Sequence, residues 1–316
     1  METREARLLY RPVPESWGYL PEGPYALGAD RFSWITIQTS ATSVTGALHR
    51  FDLARGVDEV TELPGRPGFA FPTDQSGKFL IGLERRVVLF DIASGAIEPL
   101  TEEIDKGAAG TIINDAVLFD EGLVFGAKEL TFSQKIAGLY LLRRRDLKLF
   151  RLRDDQICSN GKFIRPLGGD CWELFDIDTP TRQVVRYELD VATGRISEPT
   201  IALELSHVNG FPDGMIQVPG REEVIVAMFD PAPAPCGFAI RFSLTTGQPL
   251  ERWRVAGAPQ VTCPQLVQSE GGVKLILSTA AENLSPERLA QQPHSGSLFI
   301  ADVDYDSTGD QPSWHL

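Results

Sequence analysis

The chain has 316 residues, a formal net charge of −13, 42% hydrophobic residues and 23% charged residues. This balance is ordinary for a globular protein, and its acidity argues against a nucleic acid or an anionic membrane as partner, since both need basic patches. The 29 glycines and 22 prolines indicate many turns, as an all-β fold requires.

The first residues predict no targeting segment. Residues 1–7 are charged, and only three apolar residues follow them, too few for a secretory signal. No stretch approaches the roughly 18 apolar residues of a membrane span. The four cysteines contain no C-x-x-C pair, so they do not indicate a cysteine metal site. We expect a cytoplasmic protein, in which the cysteines are free thiols rather than disulfides.

Short β-strands dominate the chain. They are rich in β-branched or aromatic residues and bounded by turn residues. In chain order they cover 32–38, 79–83, 87–91, 139–142, 184–189, 224–228 and 274–278. One short helix is predicted over 285–292, because Ser285 is a favourable N-cap and Pro286 a favourable first helical residue.

Six short polar motifs recur at nearly even intervals. They centre on Glu22, Asp74, Asn114, Asn160, Asp213 and Gln265, in steps of 52, 40, 46, 53 and 52 residues. A second signal, a turn ending in Gly or Asp, recurs in the same order; Asp52 to Gly56 is the first example. Regular recurrence indicates one supersecondary unit repeated six times.

Six units of about 50 residues, each able to form a four-stranded sheet, predict an all-β six-bladed β-propeller. No linker interrupts the spacing, so residues 1–316 are expected to form a single domain. We expect residues 7–10 to pair with residues 297–300 and so close the ring. A pair of β-sandwiches is the rival fold, but it does not explain the even polar motifs.

In a propeller the innermost strand of each blade lines the central channel. Glu22, Asn160 and Asp213 would there offer two carboxylates and an amide oxygen, hard ligands suited to Ca²⁺, Mg²⁺ or Mn²⁺. Asn114 is a candidate fourth ligand or a substrate contact. The alternative is that each motif is only a turn, because Asp, Asn and Gly favour turns.

The motifs resemble those of the senescence-marker-protein/gluconolactonase (regucalcin) family, whose members are six-bladed propellers. The resemblance spans nearly the whole chain. The resemblance is based on residues 22–24, 114–115, 159–161, 177–179, 187–194, 212–215 and 279–299.

The resemblance implies a site. It implies Glu22, Asn160 and Asp213 as metal ligands and Asn114 as the channel asparagine. It also implies one divalent cation, with Ca²⁺ first and Mg²⁺, Mn²⁺ or Zn²⁺ as alternatives. Asp178 falls on a family position that orients the Asn160 region or caps a turn.

The chain departs from the family at several positions. Ile112 stands where sugar lactonases carry an arginine, Ala116 where glycine is usual, and Lys162 where an apolar residue is usual. Lys128 and Glu129 fall where the family places substrate-facing groups, so they join Asn114 as predicted substrate contacts. The alternative for Lys128 is a solvated lysine at a strand end.

These observations predict a metal-dependent hydrolase of a lactone or related small ester. The metal would polarise the carbonyl and activate a water, and Asp213 would accept the water's proton as the catalytic residue. The alternative is a non-catalytic propeller that binds a metal or ligand, motivated by Ile112. His207 is either an acid–base group near the channel or an ordinary loop histidine.

Overall fold

The computed structural model describes residues 1–316. The chain forms 25 β-strands and one short α-helix. No helix in it is long and apolar enough to cross a membrane. The strands fall into two compact units: a first unit of Met1–Ala70 and Val208–Gln311, and a second unit of Phe71–His207 and Pro312–Leu316.

In the first unit, one four-stranded sheet contains β2 (Pro21–Ala26), β3 (Arg31–Thr36), β4 (Gly46–Asp52) and β5 (Val57–Leu63). An eight-stranded sheet contains β1 (Glu2–Tyr10), β19 (Phe211–Gln217), β20 (Glu223–Phe229), β21 (Cys236–Ser243), β22 (Pro249–Ala256), β23 (Val261–Ser269), β24 (Gly272–Thr279) and β25 (Leu298–Asp302).

Three further sheets lie wholly or mostly in the second unit. The first contains β6 (Pro67–Pro72), β7 (Lys78–Leu83), β8 (Arg86–Asp91) and β9 (Ile97–Pro99). The next contains β10 (Thr111–Phe119), β11 (Gly122–Glu129), β12 (Ala137–Arg143) and β13 (Lys148–Gln156). The last contains β14 (Ser159–Gly168), β15 (Cys171–Asp178), β16 (Gln183–Asp190), β17 (Arg195–Ile196) and β18 (Thr200–Glu204).

The recurring Asp-to-Gly turns join the third and fourth strands of these sheets. Between β16 and β17, Asp190 Oδ2 accepts from Thr193 Oγ1 at 2.7 Å, and Gly194 N donates back to Asp190 O at 2.8 Å. Gly194 has a φ of 67°, a conformation that only glycine adopts at little cost. The sequence signal therefore marks a hairpin turn with a local chemical cause.

The N-terminal strand inserts into the eight-stranded sheet. β1 pairs in parallel with β22 and antiparallel with β25, where Arg7 lies opposite Ile300 and Leu8 opposite Phe299. The predicted pairing of these two segments is therefore confirmed. In this way the N-terminal strand completes a four-stranded group with β23, β24 and β25.

The predicted helix is also present. α1 (Pro286–Gln291) begins after Ser285, whose hydroxyl accepts from Arg288 N at 3.3 Å. The four cysteines are thiols, as the sequence predicts.

A buried polar network crosses the core of the sheet β2 to β5. The ring of His49 stacks on Trp34 with centroids 3.5 Å apart. Its Nδ1 lies 2.8 Å from Asp58 Oδ2 and its Nε2 lies 3.1 Å from Thr36 Oγ1. Burial lowers the pKa of His49, although the hydrogen bond and charge of Asp58 oppose this. The fold therefore favours the neutral ring.

Candidate functional site

Five strands carry a β-bulge at a polar motif. In β2, Glu22 pairs with Ile35 and Tyr25 with Ser33, so three steps on one strand match two on its partner. The same irregularity lies between Ile113 and Ala116, Ser159 and Lys162, Pro212 and Met215, and Val261 and Pro264. A bulge bends the strand and re-aims the side chains within it.

The bulges hold most of the predicted site residues. Asn114, Asn160 and Asp213 each occupy the first position inside a bulge, and Glu22 immediately precedes one. The sixth motif runs from Thr262 to Gln265, and the bulge of β23 holds its first two residues, Thr262 and Cys263, while Gln265 lies beyond the bulge. Asp74 follows β6 in a turn, where its Oδ1 accepts from Leu316 N at 3.2 Å.

In the second unit the structure brings Asn114 and Asn160 together. Asn114 Nδ2 donates to Asn160 Oδ1 at 3.1 Å and to Ser159 O at 3.0 Å. Asn160 Nδ2 donates to Thr179 Oγ1 at 2.9 Å. Both asparagines are buried. These bonds set the orientation of the two amides.

Asp178 fixes the turn that leads into β14. Its Oδ1 accepts from Ile157 N at 3.1 Å and from Cys158 N at 2.9 Å. Burial raises the pKa of Asp178 despite these two hydrogen bonds. Asp178 therefore holds the residues just before Asn160, and its side chain makes no capping hydrogen bond to the turn Thr179–Thr181 that follows it.

Four charged side chains are buried beneath the asparagine pair: Lys128, Lys162, Asp115 and Asp176. Lys162 Nζ lies 3.3 Å from Asp176 Oδ1. Burial raises the pKa of Asp115 to about 6, although the charges of Lys162 and Lys128 oppose the rise. Lys128 is only 8% exposed, which excludes the reading of a solvated lysine. The sequence did not predict this cluster, although it singled out two of its members, Lys162 and Lys128.

The Glu129 carboxylate organises the loop that follows β11. Its Oε1 accepts from Thr131 N at 2.9 Å and from Thr131 Oγ1 at 2.7 Å, while its Oε2 accepts from Ser133 N at 2.7 Å and Gln134 N at 3.2 Å. Burial raises the pKa of Glu129, but these bonds outweigh it and hold the pKa at about 2. Phe132, at a φ of 52°, is exposed on this loop.

Ile112 is buried on β10 opposite Lys128 on β11. It offers no hydrogen-bond donor where the resemblance leads one to expect an arginine. His207, by contrast, is exposed just beyond β18.

In the first unit, three bulges are adjacent. Thr262 Oγ1 donates to Pro21 O at 2.7 Å, which joins β23 to β2 beside Glu22. A Cβ added to Gly214 would lie 2.8 Å from Cys263 Cα, so only glycine fits next to Asp213. Glu22 and Asp213, both buried, therefore flank the bulge of β23. Glu22 Oε2 accepts from Gly23 N at 3.1 Å.

Within each unit the motif side chains offer oxygens of the kind that bind a hard divalent cation. In the first unit Glu22 and Asp213 offer carboxylate oxygens. In the second unit Asn114 uses its amide nitrogen internally, which leaves its amide oxygen to contact a cation or a substrate. Asn160 likewise uses its nitrogen on Thr179. Carboxylate and amide oxygens are the ligands that Ca²⁺ takes in proteins.

The sequence model of the SMP-30/gluconolactonase/LRE-like region matches residues 20–281. The chain belongs to this family. Its relatives include a putative sugar lactone lactonase, YvrE, of Bacillus subtilis, 28% identical over 204 residues that cover 60% of this chain and 62% of the relative. Another is regucalcin of Gallus gallus, 22% identical over 86% of this chain and 92% of that protein.

Solved structures agree in fold. A regucalcin of Agrobacterium tumefaciens, described as a calcium-binding protein, superposes with a TM-score of 0.81 at 21% identity, covering 100% of this chain and 99% of that one. A luciferin-regenerating enzyme gives a TM-score of 0.76 at 18% identity, covering 93% and 95%. At these identities the likeness shows the fold, and the site must be argued from the residues of this chain.

Proposed function

We propose that this protein is a metal-dependent hydrolase of a lactone or related small ester. The observation that carries the proposal is the shared bulge position of Asn114, Asn160 and Asp213, with Glu22 one residue before its own bulge. Family membership and the lactonase name of the Bacillus relative support it. Because the match covers 62% of that relative, its substrate class is carried over here only as a proposal.

We propose a single six-bladed propeller as the scaffold. The strands group into six runs, five of four strands and one of five: the four-stranded sheets β2–β5, β6–β9 and β10–β13, the five-stranded sheet β14–β18, the run β19–β22, and β23–β25 with β1. The same bulge at the start of five of these runs supports equivalent units.

Glu22, Asn160 and Asp213 are the proposed protein ligands of one divalent cation. Ca²⁺ is the first choice, because the ligands are hard oxygens and one structural relative is described as calcium-binding. When bound, such a cation polarises a carbonyl oxygen and lowers the pKa of water. Asn114 orients the amide of Asn160 through their shared hydrogen bond.

The other residues have separate proposed roles. The Asp213 carboxylate accepts the proton of the attacking water and returns it to the leaving alkoxide, which opens the lactone to a hydroxy acid. Asn114 and Lys128 contact substrate. Glu129 acts on substrate through the loop that its carboxylate holds in place.

The decisive experiment combines calorimetry with a lactone panel. Purified protein, stripped with a chelator, is titrated with Ca²⁺, Mg²⁺ or Mn²⁺, and hydrolysis of several lactones is followed with a pH indicator. We expect Asp213→Asn to weaken cation binding and to lower turnover at least 100-fold, while Asp190→Asn, in the hairpin turn between β16 and β17, changes neither. Full activity of Asp213→Asn would falsify its assignment.

A second candidate is a protein that binds a cation or ligand without turnover. The buried Ile112 favours it, because the position of the expected arginine offers no donor. Cation binding with no hydrolysis across the panel supports this second function. Absence of binding by any of the three cations contradicts both.

A further inference from the structure

Lys162 is a lysine whose side chain is fully buried. Its ammonium contacts three acceptors: Asp176 Oδ1 at 3.3 Å, Asp115 O at 3.2 Å, and the backbone oxygen of Asn160. These acceptors lie on β15, β10 and β14. Two of the three ammonium donors therefore bond backbone carbonyls, and the charge is paired with Asp176.

The two backbone acceptors belong to bulges. Asp115 follows Asn114 inside the bulge of β10, and Asn160 opens the bulge of β14. A bulge leaves residues out of the strand ladder, so buried carbonyl groups there need other partners. The ammonium of Lys162 serves as that partner for both bulges at once.

We propose that Lys162 is a positioning residue that pins the bulges of β10 and β14 to each other and thereby sets the contact between Asn114 and Asn160. The inference rests on the proposed function in one respect, the role of Asn160 as a cation ligand. The apolar residue expected at this position has no donor and would leave both carbonyls without this partner.

The rival explanation is that the pair of Lys162 and Asp176 serves stability alone. Replacing a buried ion pair by neutral residues is often close to neutral for stability, whereas removing one partner leaves a buried charge. A variant that removes both charges therefore isolates the cross-link. Its effect on the bulges separates the two explanations.

The test variant is Lys162→Met combined with Asp176→Asn. The amide oxygen at position 176 still accepts from Ser159 Oγ, which lies 2.8 Å from Asp176 Oδ1. Gln156 Oε1 has no partner in the structure, so a flip of the Gln156 amide lets it accept from the new amide nitrogen. The variant thus keeps hydrogen-bond partners for the side chain at position 176 while the two bulge carbonyls lose the ammonium.

The matched control is Arg165→Met combined with Glu173→Gln. This pair joins the same two strands, β14 and β15, with Arg165 Nε 2.6 Å from Glu173 Oε2. It lies away from both bulges, beyond Phe163 along β14. Any general effect of removing an ion pair from these strands appears in the control as well.

The first measurement is hydrogen exchange in chelator-treated protein. We expect peptides covering 112–117 and 158–163 to exchange about tenfold faster in the test variant, the effect of losing about one hydrogen bond at each bulge. The control should leave both peptides at the wild-type rate. Wild-type exchange at both bulges in the test variant overturns the proposal.

The second measurement is Ca²⁺ affinity by calorimetry. Loss of a residue that positions a ligand typically weakens metal binding about 10- to 100-fold, so this is the expected change for the test variant and not for the control. Faster exchange with unchanged affinity overturns the positioning role and leaves a structural one. If the wild-type protein binds no divalent cation, the proposed function is refuted. The hydrogen-exchange measurement then still shows whether Lys162 links the bulges of β10 and β14. If this double variant does not fold, Lys162→Leu combined with Asp176→Asn is measured in the same way.

Discussion

Asn114 Nδ2 donates to Asn160 Oδ1 over 3.1 Å, a bond between first-position residues of two neighbouring bulges. Asn160 Nδ2 is used at its other end by Thr179 Oγ1. The amide of Asn160 is thus held from both sides, with its oxygen turned toward Asn114. A cation is ligated by the amide oxygen, so the hydrogen bonds that orient the Asn160 amide also affect how tightly a cation binds there.

Asn114→Leu removes the donor and should weaken cation binding about 10- to 100-fold, as loss of a ligand's supporting hydrogen bond does. Calorimetric titration with Ca²⁺ measures the change. Asn209→Ala, at an exposed position, serves as the control and should bind as the wild type does. Wild-type affinity in Asn114→Leu contradicts the role given to this bond.

Glu129→Gln should loosen the loop after β11. A glutamine has one acceptor oxygen, whereas the carboxylate accepts four hydrogen bonds from Thr131, Ser133 and Gln134. Loss of a bond to a charged group costs about 1.5–3 kcal/mol, so local opening becomes roughly 10- to 100-fold more frequent. Limited chymotrypsin digestion measures it, because Phe132 is exposed on this loop.

The control for the loop is Glu198→Gln, since Glu198 is exposed between β17 and β18. Cleavage at Phe132 should stay slow in that variant. Equal cleavage rates in Glu129→Gln and the wild type would show that the carboxylate does not hold the loop.

His49 predicts how stability depends on pH. Burial lowers the pKa of His49 from its ordinary 6.5, so below about pH 6.5 the unfolded chain binds a proton that the folded chain resists. The stability that this group contributes is present above that pH and is lost as the pH falls toward the lower pKa of the folded state. Thermal unfolding between pH 8 and pH 5 measures the loss.

The matched variant for this dependence is His315→Gln, because His315 is largely exposed. It should keep the wild-type pH profile. His49→Gln should be less stable at pH 8 and should lose less stability than the wild type on acidification. An identical fall in unfolding temperature for wild type and His49→Gln contradicts the prediction.

Local chemistry explains what the sequence predicted well. The turn from Asp190 to Gly194 depends on residues within five positions, and so does the cap of α1 at Ser285. Strands and turns of this kind are visible in the chain because their causes are close in sequence. The all-β class follows from them, whereas the pairing of β1 with β25 was predicted from closure of the repeated fold.

Long-range register explains what the sequence missed. Lys162 meets Asp115, 47 residues away, only because two bulges bring their backbones together. In β23 the bulge holds Thr262 and Cys263, a shift of register that the residue types of the motif do not reveal. Glu129 holds its loop through hydrogen bonds that depend on the conformation of the loop backbone. The periodicity of the sequence does not predict that conformation.

The last prediction concerns substrate class and rests on Ile112. This side chain is buried and has no hydrogen-bond donor, whereas an arginine has five. A site that lacks a donor for substrate hydroxyls loses discrimination in their favour. We therefore expect gluconolactone to be a poorer substrate than a simple γ-lactone. The charge of Lys128 interacts with the carboxyl group of Asp115. An acidic group on a lactone would compete with Asp115 for this interaction.

Initial rates for gluconolactone and a simple γ-lactone, corrected for spontaneous hydrolysis, measure this preference. Ile112→Gln supplies two amide donors at similar size and should shift the ratio toward gluconolactone, while Ile112→Val keeps the apolar character and should leave the ratio unchanged. A preference of the wild type for gluconolactone of tenfold or more, about 1.4 kcal/mol in the barrier, contradicts the prediction. It would mean that another residue of the chain supplies the donor that the family arginine provides.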